Sequence, residues 1–136
     1  MKHQEKVYLI DTNIILRYFL NDHAEFSAKA RNFMKDISKG DKKAEILDVV
    51  ICECVYVLEK FYNIPKPEIV DNLSKLMTFS GAIDQDKAKM LNALKKYQDS
   101  NTDIVDCILA AHSSASKVVI SFDNDMQKLN AVYEDL

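Results

Sequence analysis

Apolar residues fall along this chain in two kinds of run. Short, β-branched runs at residues 7–10, 44–50 and 117–122 have the length and composition of buried parallel strands. Longer stretches repeat apolar positions every three or four residues, the spacing of one helical face. One covers residues 14–20, with Thr12 or Asn13 as its cap. Another covers 24–38, with Phe26, Ala30, Phe33, Met34 and Ile37 inward, and Gly40 ends it. Residues 51–62 place Val55, Leu58 and Phe61-Tyr62 on one side, and Glu53 near the start. Beyond Pro65 and Pro67, residues 68–79 turn Ile69, Leu73, Leu76 and Met77 inward, and 86–98 do the same with Ala88, Leu91, Leu94 and Tyr97. A helix over 103–114 follows Ser100-Asn-Thr102, which offers caps. Short strands are expected near Ala82-Ile83 and Ala131-Val-Tyr133, and a turn of helix around Met126.

Strand and helix therefore alternate, which predicts an α/β fold with a central parallel sheet covered by helices on both faces. A length of 136 residues and 48% hydrophobic content suit one domain spanning residues 1–136. Two glycines and two prolines leave no linker or low-complexity tract. The three cysteines, Cys52, Cys54 and Cys107, lack CxxC spacing, which argues against a disulfide framework or structural zinc and for a reducing compartment. The polar start and the four-residue first apolar run offer neither a signal peptide nor a membrane span, so a cytoplasmic protein is expected. A formal charge of −3 is the reverse of a general nucleic-acid binder's footprint. It weighs less against a metal-dependent nuclease, whose bound cations reverse the local field.

The acidic residues bring chemistry into this pattern. Asp11 and Asp123 each follow a predicted strand directly, and ligands of open parallel sheets bind outside the carboxyl ends of strands. Asp103 and Asp106 lie three apart at the start of one predicted helix; alone they would serve the helix dipole, but Asp106 sits in the apolar segment Ile104-Val-Asp-Cys-Ile-Leu. Glu53 is bracketed by apolar residues, with a buried ion pair to Arg17 as the structural alternative. Asp123 and Asp125 alone would pass for turn residues. Clustered carboxylates repel unless they hold a cation, and oxygen-only ligands favour magnesium or manganese over zinc. His3, His23 and His112 are isolated and are read as non-catalytic. Ser113-Ser-Ala-Ser lacks a nucleophile elbow, and no phosphate loop is present.

Taken together, Val7-Tyr-Leu-Ile-Asp-Thr-Asn13, Glu53 in Cys-Glu-Cys-Val-Tyr-Val-Leu, Asp106 in Asp-Ile-Val-Asp-Cys-Ile-Leu-Ala-Ala and Ser-Phe-Asp-Asn-Asp125 resemble the PIN-domain ribonucleases, more narrowly the VapC-type toxins of toxin–antitoxin pairs. The resemblance runs from about residue 7 to residue 129. It implies an α/β/α fold, Mg2+- or Mn2+-dependent RNA hydrolysis, homodimer formation and neutralisation by a small antitoxin protein. By motif, Asp11, Glu53, Asp106 and Asp123 would be the catalytic acids and metal ligands, with Asp103 and Asp125 as further metal-binding acids. Thr12 and Asn13 would shape the first turn, and Arg17 would meet a phosphate or pair with Glu53 or Glu59. Cys107 stands where a small residue, often alanine, is usual.

Three rivals remain at this stage. A phosphotransferase of the haloacid-dehalogenase type also uses an aspartate after the first strand, but needs a second acid where this chain has Asn13. A catalytically silent PIN-like binding module would not need its full set of acids. A housekeeping RNA-processing nuclease would share the whole site with a toxin.

Overall fold

The computed structural model describes residues 6–84 and 86–136; His3 lies outside them. The chain divides into two compact units, Met1–Gln85 and Asp86–Leu136. In the first, Val7–Leu9 forms β1, Thr12–Leu20 α1, Ala24–Lys39 α2, Lys43–Glu45 β2, Asp48–Lys60 α3 and Lys66–Met77 α4. In the second, Lys87–Asp99 forms α5, Ile104–His112 α6, Val119–Ser121 β3, Asp125–Lys128 α7 and Tyr133–Asp135 β4.

Each unit is built on a parallel strand pair, in agreement with the expected α/β class. β1 pairs with β2, Tyr8 opposite Ala44, and the two helices between them supply the crossover that parallel strands require. The strand expected near Ala82 is one further parallel bridge: Ala44 N–H donates to Gly81 O at 2.8 Å and Ile83 N–H to Ala44 O at 2.9 Å. In the second unit β3 pairs with β4, Ile120 opposite Glu134.

The strands are shorter and less buried than their composition suggests. Tyr8 turns onto α2 and meets Phe33 edge-on at 5.3 Å between ring centres. The alternation of a strand then points Val7 and Leu9 the other way, and both are exposed. In β3 only Val119 is buried; Ile120 and, just past the strand, Phe122 are exposed. The run expected as a strand over 44–50 stops at Glu45, because Asp48 supplies an acid to the first turn of α3 and the chain is helical from there.

Buried stripes at helical spacing make the core of each unit. Ile15 and Leu16 of α1 join Ala30, Met34 and Ile37 of α2, Ile51, Cys54, Val55 and Leu58 of α3, and Ile69, Leu73, Leu76 and Met77 of α4. Phe26 is not among them, since it lies in the first turn of α2, stacked on the capping His23 ring at 4.3 Å. In the second unit Met90, Ala93, Leu94 and Tyr97 of α5 pack with α6, so the expected stripe holds at Leu94 and Tyr97 but excludes the exposed Ala88.

Two glycines punctuate the first unit for different reasons. Gly40 ends α2 at φ 83°, a left-handed conformation that glycine adopts without a Cβ penalty. Gly81 is wedged between the end of α2 and β2, where a Cβ would stand 2.1 Å from Lys42 O and 2.7 Å from Ile37 O. Those obstacles are backbone and cannot step aside. Gly81→Ala is therefore expected to cost at least about 2 kcal/mol in urea denaturation; unchanged stability would mean the backbone approach is slack.

Candidate active site

Asp11 owes its position to the end of β1. Ile10 N–H still donates to Glu45 O at 3.2 Å, continuing the strand pairing, and the chain then turns into α1. Asp11 itself is the cap, in place of the expected Thr12 or Asn13: its backbone is extended, and its carboxylate accepts the Thr12 N–H at 2.8 Å. A carboxylate fits there because the helix start presents partial positive charge. Thr12 is buried and Asn13 exposed.

Glu53 lies in the second turn of α3, and it is exposed rather than enclosed by its apolar neighbours. The reason is the width of the buried stripe. Ile51, Cys54, Val55 and Leu58 occupy it, and Val49, Glu53, Tyr56 and Lys60, at four- and three-residue spacing, share the outer face. Asp11 and Glu53 both bear on the buried Cys54. Burial first, then Glu53, then Asp11 push its thiol up to about 12. Cys54 is thus a protonated core residue, not a ligand or nucleophile.

Arg17 pairs with Asp22, a partner outside those expected for it. Its Nη1 lies 2.8 Å from both oxygens of Asp22, five residues on and past the helix end. The left-handed Asn21 folds the chain back so that Asp22 can reach. The hydrogen bond to Arg17 holds the Asp22 carboxyl below its ordinary value, and the same contact raises the guanidinium. Asn13, Arg17, Glu53, Phe61 and Tyr62 line a depression of about 450 Å3 between α1 and α3.

In the second unit three acids meet. Asp106 is in the first turn of α6, Asp123 follows β3, and Asp125 opens α7. One oxygen of each lies within 4.8 Å of the others. The loop holds them: Asp123 N–H donates to Ser121 Oγ at 2.9 Å, and Asp125 N–H to Asp123 Oδ1 at 3.1 Å. Asp103 stands in an extended conformation just before α6, its side chain making no capping hydrogen bond, and acts on Asp106 through its charge. Burial first, then Asp103, Asp123 and Asp125, raise the Asp106 carboxyl above its ordinary value. Lys128 Nζ, 3.6 Å from Asp125, supplies one positive charge beside them.

This donor set fits a hard divalent cation. Its atoms are carboxylate oxygens, which suit Mg2+ or Mn2+, and their mutual repulsion is what such an ion relieves. The residues set aside on sequence grounds have structural roles: His23 Nδ1 caps α2 by accepting the Phe26 N–H, and Ser113 Oγ accepts the Val132 N–H.

Because its carboxyl is raised, folded Asp106 keeps its proton at pH values where the unfolded chain has released it. Its contribution to stability is full below the ordinary value of 3.8 and is lost as pH rises through the folded value. Asp106→Asn is therefore expected to stabilise the cation-free chain near neutral pH, and to lose that advantage in acid. Added Mn2+ should favour the native aspartate instead. Melting curves at both pH values, with EDTA and with Mn2+, check this; a destabilised variant at neutral pH in EDTA would contradict it.

Residues 8–132 match the PIN domain family. The chain is also similar to a protein from Aquifex aeolicus (strain VF5) named VapC ribonuclease, 26% identical over 123 residues that cover 89% of this chain and 90% of that protein.

Proposed function

The chain belongs to the PIN domain family, and on that premise we propose that it is a Mg2+- or Mn2+-dependent endoribonuclease, the toxin of a VapBC-type pair. The observation that carries the reading is the set of Asp106, Asp123 and Asp125 oxygens within 4.8 Å of one another. Asp11, Glu53, Asp106 and Asp123 are the proposed catalytic acids, and Asp103 and Asp125 are proposed to assist in holding metal. A divalent ion, when bound, would neutralise phosphodiester charge and activate water for hydrolysis.

The chain's own residues have definable tasks in this proposal. Asp11, hydrogen-bonded at the start of α1, presents its carboxylate from a rigid element. The turn from Ser121 to Asp125 sets two acids beside Asp106, held by the backbone N–H groups of Asp123 and Asp125, with Lys128 next to Asp125. Thr12 is buried, and its backbone N–H donates to the Asp11 carboxylate at the start of α1. None of these carboxylates needs to act as a nucleophile, which separates the proposal from phosphotransfer through a phosphoaspartate.

A small antitoxin, a homodimer and one nuclease domain over residues 1–136 belong to the same proposal. The free thiols of Cys52, Cys54 and Cys107 support a cytoplasmic setting. Among the described residues no helix is long and apolar enough to cross a membrane.

Asp11→Asn preserves an oxygen that can still accept the Thr12 N–H, so the cap and the fold are expected to survive. RNA cleavage by the purified chain with Mg2+ or Mn2+ should then fall on the order of a hundredfold or more, and should vanish for the native chain in EDTA. Undiminished cleavage by a folded Asp11→Asn variant would remove the assignment.

A further inference from the structure

The depression beside Glu53 contains two side chains that holding metal does not use. Phe61 is 73% exposed and Tyr62 42%, although both were expected to extend the inner stripe of their helix. They miss it because α3 ends at Lys60 and the chain closes there into a tight turn. Phe61 N–H and Tyr62 N–H both donate to Val57 O, at 3.0 and 3.3 Å, and Ile64 N–H donates to Leu58 O at 3.0 Å across the left-handed Asn63. These backbone hydrogen bonds close the end of the helix, and Pro65 prevents any continuation. Two adjacent aromatic rings are thus held at the depression on a fixed backbone, Phe61 open to water and Tyr62 part-exposed beside Arg17, where ordering them for a ligand costs little entropy.

Their neighbours suggest what the rings meet. Arg17 lines the same depression; its Nη1 pairs with Asp22, and the guanidinium also interacts with the Tyr62 side chain, which holds that ring beside the positive charge. The Asn13 side chain adds an amide, and Glu53, a proposed catalytic acid, forms part of the wall. An aromatic face, a guanidinium and an amide in one open depression of about 450 Å3 match the base, phosphate and base edge of a single nucleotide. The net charge of −3 gives the chain no general attraction for RNA, so local contacts of this kind, beside any bound cations, would supply it.

Resting on the ribonuclease reading, we propose that Phe61 and Tyr62 form a stacking platform for one unpaired base of the RNA strand, with Arg17 meeting the adjoining phosphate. The substrate is then single-stranded at that nucleotide, because a base held in a duplex cannot offer its face to a side chain. The platform is a positioning device: it sets where the strand lies beside Glu53 and takes no part in bond breaking.

The test compares the native chain with Phe61→Ala/Tyr62→Ala and Phe61→Trp, using single-stranded RNA that carries 2-aminopurine. Cleavage is measured with Mn2+, and fluorescence quenching on binding with Ca2+ in its place. The double alanine variant is expected to raise KM roughly tenfold, leave kcat and the melting temperature nearly unchanged, and abolish quenching, while Phe61→Trp restores both KM and quenching. If the native chain cleaves RNA and the alanine variant matches it in KM and quenching, the platform is overturned and the nuclease stands. If the native chain quenches the probe through these rings but cleaves no RNA, the platform stands and the nuclease falls; if it does neither, both fall. A change in sedimentation with unaltered KM would assign the rings to contact between copies of the chain and overturn the proposal.

Discussion

Like charges held close together must be held by something, and the second unit does so with three carboxylates. Asp106, Asp123 and Asp125 bring oxygens within 4.8 Å of one another, and repulsion added to burial is enough to raise the Asp106 carboxyl. Backbone amides organise the arrangement from below: the loop after β3 is pinned by the Ser121 hydroxyl and by the Asp123 carboxylate itself. The start of α6 places Asp106 where a helix tolerates negative charge. A divalent cation would relieve that repulsion, which would make ion binding and local stability two readings of the same electrostatics.

Asp11 shows the same economy in the first unit. A strand end, a helix cap and a candidate ligand coincide in one side chain, so the geometry of the acid is set by secondary structure instead of by loop packing.

Much of this was legible in the residues. The alternation of strand and helix, the buried stripe of α4 at Ile69, Leu73, Leu76 and Met77, and the stop at Gly40 follow from local periodicity and backbone conformation. Asp11 and Asp123 could be found because each directly follows a β-branched run. What could not be read was anything decided by the width of a buried face. Glu53 is surrounded by apolar neighbours in sequence, yet a helix buries only one stripe, and the remainder of that apolar run turns outward with it. The Arg17–Asp22 pair was missed for a different reason: it depends on Asn21 taking a left-handed conformation, after which a residue beyond the helix folds back onto it. Phe61 and Tyr62 look like core from their apolarity, and only the helix ending at Lys60 shows otherwise.

The central claim is that the carboxylate cluster holds a divalent ion, and Mn2+ titration followed by electron paramagnetic resonance reads it directly. The native chain is expected to take up Mn2+ saturably near neutral pH, with affinity falling as Asp106 is protonated in acid and at least about tenfold weaker in Asp106→Asn. Equal Mn2+ uptake by the native chain and the folded variant, or none by either, would contradict the account.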